Sequence, residues 1–241
     1  MCYKIDNVFY GSIKRTMITV IDFSTDNIES GSPKVNQNGG KNISLQYKLN
    51  EMARGVVFQT PLMLSFGINK WQDPKNPNMA PAFSTTLSFV GSEQNEKLRD
   101  FHGVLQRLDQ WAIETAIKNG WEWFGRKNMS RETIESIYTP IIKVSLEKAS
   151  GAPSGKPDYM KLKLKTSASG YSTAFYNKNK EIIPSGEVDG FFTKGSHVRA
   201  LVQCTGVWIA AGKFGLSWKV IQMVVEPRAV IGNQYAFEDD E

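Results

Sequence analysis

The sequence has few of the side chains that catalytic and metal sites draw on. It holds two histidines, His102 and His197, and two cysteines, Cys2 and Cys204, in 241 residues. His102 sits beside the apolar stripe of a predicted helix and His197 opens a predicted strand, positions that suit packing or surface roles better than a general base. The cysteines are far apart and no closely spaced His and Cys ligands occur, which excludes the usual zinc patterns and fits ordinary thiols in a reducing, intracellular compartment. No run approaches the roughly 18 apolar residues of a membrane helix, and the start, MCYKIDNVFYGSIKR, lacks the apolar block of a secretory signal. A phosphate-cradling GxxxxGK(S/T) loop is missing too, and the Gly39–Gly40 pair lacks a strand-to-helix setting. The expectation is a protein with no cofactor and no membrane association. Asp22, Asp26, Glu29, Asp158 and Asp189 are available to a metal-dependent nuclease, but their spacing does not bring them together.

A hydrophobic share of 41% against 22% charged residues is enough to build a core. Its pattern is mostly that of strands. Met17 to Phe23 is β-branched and apolar, and the polar stretch from Ser24 to Asn42 reads as a loop. Ile43, Leu45, Tyr47 and Leu49 alternate with polar residues, as do Leu62, Leu64 and Phe66, and then Phe83, Thr85, Leu87 and Phe89. Between the last two sets, GINKWQDPKNPNMAP predicts a loop carrying Lys70, Trp71 and Lys75. One long helix is predicted from Glu93 to Asn119, where Leu98, Phe101, Leu105, Leu108, Ala112 and Ala116 recur at spacings of three and four, with Ser92 as cap and Gly120 as stop. A shorter helix begins at Ser130, where Glu132 and Thr133 complete an imperfect capping pattern, and ends before Pro140. Strands follow at Ile141 to Leu146, Tyr159 to Thr166 and Thr173 to Tyr176. Two long ones, His197 to Ala211 and Phe214 to Val225, form a hairpin across Gly212 and Lys213.

Within Tyr159 to Thr166, YMKLKLKT, Met160, Leu162 and Leu164 face one way and Lys161, Lys163 and Lys165 the other. A strand sets such ammonium groups about 6.5 to 7 Å apart, close to the phosphate repeat of an extended single strand. A solvated outer face or a lysine-protected edge gives the same pattern. Aromatic residues beside cations strengthen the binding reading: Trp71 by Lys70, Trp123 before Arg126 and Lys127, Tyr171 and Tyr176 before Lys178. Cations hold a backbone while flat rings stack on bases. Trp71, Trp123, Tyr171 and Tyr176 are expected to be the exposed rings. The net charge of +5 also understates the body, because the last four residues, Glu238, Asp239, Asp240 and Glu241, are acidic; without them 29 basic residues face 20 acidic ones. Such a tail suits a competitor for the polyanion surface, or a solubility device.

The closing segment VQCTGVWIAAGKFGLSWKVIQMVV, Val202 to Val225, resembles the C-terminal strands of OB-fold single-stranded-DNA-binding proteins of nucleocytoplasmic large DNA viruses. The shared features are Trp208, Gly212, Lys213, Phe214, Gly215, Ser217, Trp218 and Lys219, and the resemblance spans about the C-terminal 100 residues. It implies an OB-like barrel whose strands form a groove for bases. The ending YAFEDDE resembles the acidic tails of bacterial and phage single-stranded-DNA-binding proteins, which compete with DNA and dock replication partners. Phe214, Leu216, Trp218 and Val220 make one strand face, while Gly215 and Ser217 keep the other small enough for a backbone or ligand to approach.

The expected fold is therefore mainly β (α+β): an OB-like barrel core with one long inserted helix and extended loops, residues 1–230 forming one nucleic-acid-binding domain and 231–241 a flexible acidic tail. The expected function is non-catalytic, sequence-independent binding of single-stranded DNA, with RNA as the other compatible strand, in replication, recombination or repair. Lys213 joins the binding residues already named. Replication or repair proteins at the tail and self-association into a homo-oligomer are the expected protein partners. The competing readings are a β-rich viral structural protein and a metal-dependent nuclease.

Overall fold

The computed structural model describes residues 17–49, 52–167 and 170–228; Cys2 and the acidic tail lie outside the described residues. In chain order the first strands are Ile28–Ser30 (β1), Lys34–Val35 (β2), Lys41–Ile43 (β3), Leu45–Leu49 (β4), Met52–Arg54 (β5), Val56–Gln59 (β6), Met63–Trp71 (β7) and Ala82–Ser88 (β8). Three helices follow, Glu96–Lys118 (α1), Gly120–Phe124 (α2) and Arg131–Ile137 (α3). The chain then returns to strands at Tyr138–Thr139 (β9), Ile142–Lys143 (β10), Tyr159–Leu164 (β11), Thr166–Ser167 (β12), Gly170–Tyr171 (β13) and Ala174–Tyr176 (β14). A single helical turn, Val188–Phe191 (α4), precedes His197–Ala210 (β15) and Lys213–Glu226 (β16).

Five of these strands close on themselves. β7 pairs β8, β8 pairs β11, β11 pairs β16, β16 pairs β15, and β15 returns to β7 through His197↔Leu64 and Val198↔Met63. All of these pairings are antiparallel except β11–β16. The result is a small Greek-key barrel, mainly β with a long helix inserted between its second and third strands, as expected of an OB-like core. Its interior is filled by alternate residues, among them Leu87, Met160, Leu162, Val198, Val202 and Val220. Cys204 is fully buried there, and burial pushes its thiol up to about 12, so it is inert.

The hairpin turns at Ala211 and Gly212, both at positive φ (51° and 73°), which is the type I′ geometry that matches strand twist. Register shifts at Leu201/Val202 and Cys204/Gly206 coil the two 14-residue strands. One half of β15 then pairs with β6 and the other with β3. Gly206 (φ 144°) packs so closely on the Ile43 carbonyl that any side chain would overlap it.

Helix α1 buries the predicted stripe Leu98, Phe101, Leu105, Leu108, Ala112 and Ala116, together with Val104. The cap is Asn95, whose side chain accepts from the Leu98 N–H, so the helix begins three residues later than Ser92 would have set it. Gly120 does not end the helical region; it opens α2, which stops at Gly125 in the left-handed conformation (φ 69°). Ser130 caps α3 as predicted. Asp109 ties α1 to the barrel wall. Its carboxylate accepts from the Tyr138 hydroxyl at 2.5 Å and the Ile141 N–H at 3.0 Å, fixing the segment that links β9 to β10.

Several expectations fail for local reasons. Met17 to Phe23 is not a strand: Asp22 bonds the Thr19 hydroxyl and folds the segment into a turn, while Ile18 and Phe23 still reach the core. The Ser24–Asn42 stretch contains β1, β2 and a 3-10 turn at Thr25–Asn27. β7 runs on to Trp71, so the predicted loop starts only at Gln72. Leu62 and Phe66 point outward, and Met63 and Ser65 point in, because a register shift between Ser65 and Ile68 reverses the alternation. Of Ile141 to Leu146 only Ile142–Lys143 is strand.

Burial holds the Asp109 carboxyl above the usual carboxylate range, with the Tyr138 bond opposing the shift. A group raised in this way contributes stability that is full at low pH and is lost as pH rises through its folded pKa. Asp109→Asn should therefore gain on the wild type as pH rises above the ordinary carboxylate range of about 4 in urea unfolding, whereas a pH-independent difference would exclude the buried-acid account. Asp109→Ala, which orphans two donors, should cost about 2–4 kcal/mol. Gly206→Ala should also destabilise by about 2–3 kcal/mol or more, and hydrogen exchange should show the β3 amides losing protection first.

Candidate nucleic-acid interface

Strand alternation puts Met160, Leu162 and Leu164 inside the barrel and Lys161, Lys163 and Lys165 outside. Pairing carries that outer face across the sheet. Lys161 is opposite Thr86, Lys163 is opposite Ser84, and Ser84 is opposite Asn69. In the other direction Lys163 is level with Lys219, and Lys219 with Gln203. Lys143 on β10 and Lys213 at the hairpin tip extend the same positive field. Among the described residues the ion pairs are Lys48–Glu29, His102–Asp158 and Arg131 with Glu114 and Glu135, so none of these six lysines is in an ion pair, although the Asp109 carboxyl acts on Lys143 from farther off.

Burial first, and like charge second, act on two of them. Burial lowers the pKa of Lys219 and the Lys165 charge lowers it further. Burial also lowers Lys143, which Asp109 pulls back up and Lys213 depresses again. Cations gathered in this way on one sheet face make its field positive, and a nearby anion would favour their charged forms.

A flat ring lies in the middle of this field. Trp208 pairs with Gly215 across the hairpin, and a Cβ on Gly215 would stand 3.1 Å from the Trp208 ring and 2.8 Å from the Thr139 carbonyl oxygen. Gly215 thus lets the indole lie down across β16, half-exposed, between the hairpin tip and the lysines. What approaches the small face predicted at Gly215 and Ser217 is the chain's own Trp208 ring and Thr139 backbone. Trp208 was missed as a site residue; the cross-strand match of a tryptophan to a glycine is the signal that could have found it.

The other expected site residues fall into three groups. Tyr176 is level with Val224 on β16 and continues the outer face beyond Lys219, with exposed Lys178 after it. Trp71 is 56% exposed and, level with Ala82, stands at the far edge of the same face. Lys70 turns the other way, its ammonium 6.0 Å from the Phe83 ring at the barrel end. Tyr171 is there too, packed edge-on against Phe83 and Phe175 with its hydroxyl bonded to Asp189, so it is a packing residue rather than a free platform. Trp123 is buried at 1% exposure, against expectation. It stands two residues from Trp121 on α2, so the two rings point to opposite sides, and Trp121 is the exposed one, with Lys127 over it at 5.3 Å. Exposed Arg126 and Lys127 follow α2, which packs on Phe214 beside the hairpin tip.

The carboxylates considered for a nuclease are scattered. Asp158 faces His102, Asp189 bonds Tyr171 and Asp22 bonds Thr19, and among the described residues no three His, Cys, Asp or Glu side chains gather as metal ligands. No helix of the described residues is long and apolar enough to cross a membrane.

No curated protein matches the sequence. Among solved structures, the chain is similar to the single-stranded DNA-binding protein of bacteriophage Enc34 in complex with ssDNA, at 12% identity and a TM-score of 0.42, covering 84% of this chain and 94% of that one. It is similar also to gp2.5, a single-stranded DNA-binding protein encoded by bacteriophage T7, at 9% identity and a TM-score of 0.42, covering 76% and 98%. Residues 88–239 match the family of unknown function DUF5871, and the chain belongs to that family.

Proposed function

We propose that this protein binds single-stranded DNA without catalysing a reaction on it, along the outer face of β11 and β16. The observation that carries the reading is the field of six lysines, none of them in an ion pair, around the half-exposed Trp208. Cations of this kind hold a backbone of any sequence, and a ring among them offers a base a stacking surface worth about 1–3 kcal/mol. The barrel supports it, because OB barrels take oligonucleotides on the face of their second and third strands and on the loops joining strands one to two and four to five. Here those are β8 and β11, the Gln72–Pro81 loop beside Trp71, and the Ala211–Gly212 turn beside Lys213. The sequence resemblance to the single-stranded-DNA-binding proteins of large DNA viruses points the same way. From Lys213 to Val224 the track is roughly 36 Å long, at about 3.3 Å per residue. A role in replication, recombination or repair follows from such an activity, with the acidic end of the chain as a competitor for the lysines and a contact for partner proteins.

Gel shifts with single-stranded, duplex and RNA oligonucleotides at two salt concentrations test this. Binding to the single strand should fall steeply with salt, and no binding at low salt would refute the proposal. Changing Lys161, Lys163 and Lys165 together to Ala should leave the thermal midpoint nearly unchanged and flatten the log affinity against log salt slope by about 2, at about 0.7 per lost phosphate contact. An unaltered slope would make the row a solvated face. Deleting the residues after Phe237 should strengthen binding at low salt; equal affinity would leave the tail a solubility device.

A further inference from the structure

The outer face of the long hairpin does not end at Lys219. Past it, β16 carries one extra residue, Ile221, because Leu201 is level with Gln222 and Val202 with Val220. A bulge of this kind bends the strand that holds it, and a depression of about 170 Å³ lies over the bend. Its floor is apolar although the core has no use for these side chains. Leu201 alternates with buried Ala200 and Val202, and Val224 with buried Met223 and Val225, so both stand on the outer face and remain half-exposed. Arg199, Val224 and Tyr176 form one row across β15, β16 and β14, which sets Arg199 and Tyr176 about 10 Å apart at their Cα atoms. Tyr176 walls one side of the depression and exposed Arg199 the other, and Lys180 joins the rim from the turn after β14. Among the described residues neither Arg199 nor Lys180 is in an ion pair. Glu226 ends β16 and Glu181 closes the turn after Tyr176, so the positive field stops at this row.

We infer that this depression is a second base site: a base of the bound strand lies on Leu201 and Val224 against the Tyr176 ring, and Arg199 and Lys180 hold the phosphates on either side of it. The inference rests on the proposed single-strand binding and adds a fixed reach to it. An apolar floor between cations matches a nucleotide, whose flat base lies between charged phosphates, and holds the base by its face whatever its sequence. The site also continues the lysine face, because Gln203, level with Lys219, and Leu201 are successive outward residues of β15. From Gly215, level with Trp208, to Val224, level with Tyr176, β16 runs about 30 Å. At a repeat of about 6.5 to 7 Å, an extended strand covers that length in about four to five nucleotides, within the site sizes such barrels use. An oligonucleotide of about ten nucleotides therefore reaches both rings, and one of about four cannot.

The test measures the affinity of oligo(dT) of these two lengths for the full chain, for Tyr176→Ala and for Leu201→Ser. Each variant should weaken the longer strand about fivefold or more and leave the shorter one, held by the six lysines, within about twofold. A loss shared equally by both lengths, or by neither, overturns the inference. The wild type gives a second reading that does not depend on a variant folding. Longer oligo(dT) carrying 5-iododeoxyuridine at one position at a time should photocross-link to Trp208 from one position and to Tyr176 from another about four to five nucleotides away. Cross-links to Trp208 with none to Tyr176 from any position overturn the inference and leave the proposed function standing. A second copy of the chain seated in the depression would make Tyr176→Ala change the sedimentation of the free protein and leave both affinities as they were, which also overturns it. If the wild type binds no single strand at low salt, the proposed function fails and the base site with it.

Discussion

Every strand of the barrel wall takes its register, directly or through one neighbour, from the antiparallel pairing of β15 with β16. β15 sets β3, β6 and β7, while β16 sets β9, β11 and β14. A strand slipped by one residue would turn its core side chains to water, so the hairpin fixes the contents of the interior as well as the order of the strands. The two irregularities in its pairing have as much effect as its regular part. They bend a straight 14-residue ribbon so that one portion closes a barrel and the rest reaches past it, and Gly206 is the price of bringing β3 against the bend.

That bend also decides where the wall is weak. A hairpin that coils around a small barrel diverges from the one strand of the closed five that runs parallel to β16, and β11 and β16 separate after a single bridge. The chain covers the separation with the short Tyr138–Lys143 crossover and holds the crossover from behind with Asp109 on α1. The long helix therefore contributes more than buried leucines. It carries the carboxylate that keeps the opening in one shape, and it does so beside Lys143, whose charge that carboxylate favours.

The sequence made some of this legible and hid the rest for physical reasons. Local periodicity carried the interior and exterior of β11, the stripe of α1 and the Ser130 cap, because each depends only on residues near in the chain. The lysine row was visible for the same reason. What it lacked was a neighbourhood: nothing in the spacing of Lys161, Lys163 and Lys165 shows that Lys143, Lys213 and Lys219 share their face, since those come from two other strands, β10 and β16. Errors concentrated where tertiary packing overrode pattern. Leu62 and Phe66 look like core residues until the register shift at Ser65/Ile68 is known, and the interior takes the hydrogen-bonded pair Ser65 and Thr85 instead, at 2.9 Å. Trp123 sits among polar residues in the sequence yet packs on Phe124 and Phe214.

Stability and binding pull in opposite directions on the outer face. Lys219 and Lys143 are held in partial burial beside like charges, an arrangement that folding alone would not select, because an exposed lysine without such neighbours avoids both penalties. Costs scattered over a surface signify little, but these two fall on one sheet face, and a ligand that brings negative charge to that face would relieve both. A phosphate within a strand brings that charge. A solvated protective edge needs the lysines but has no use for the indole or the gap, which is why the arrangement favours a bound strand over a lysine-coated surface.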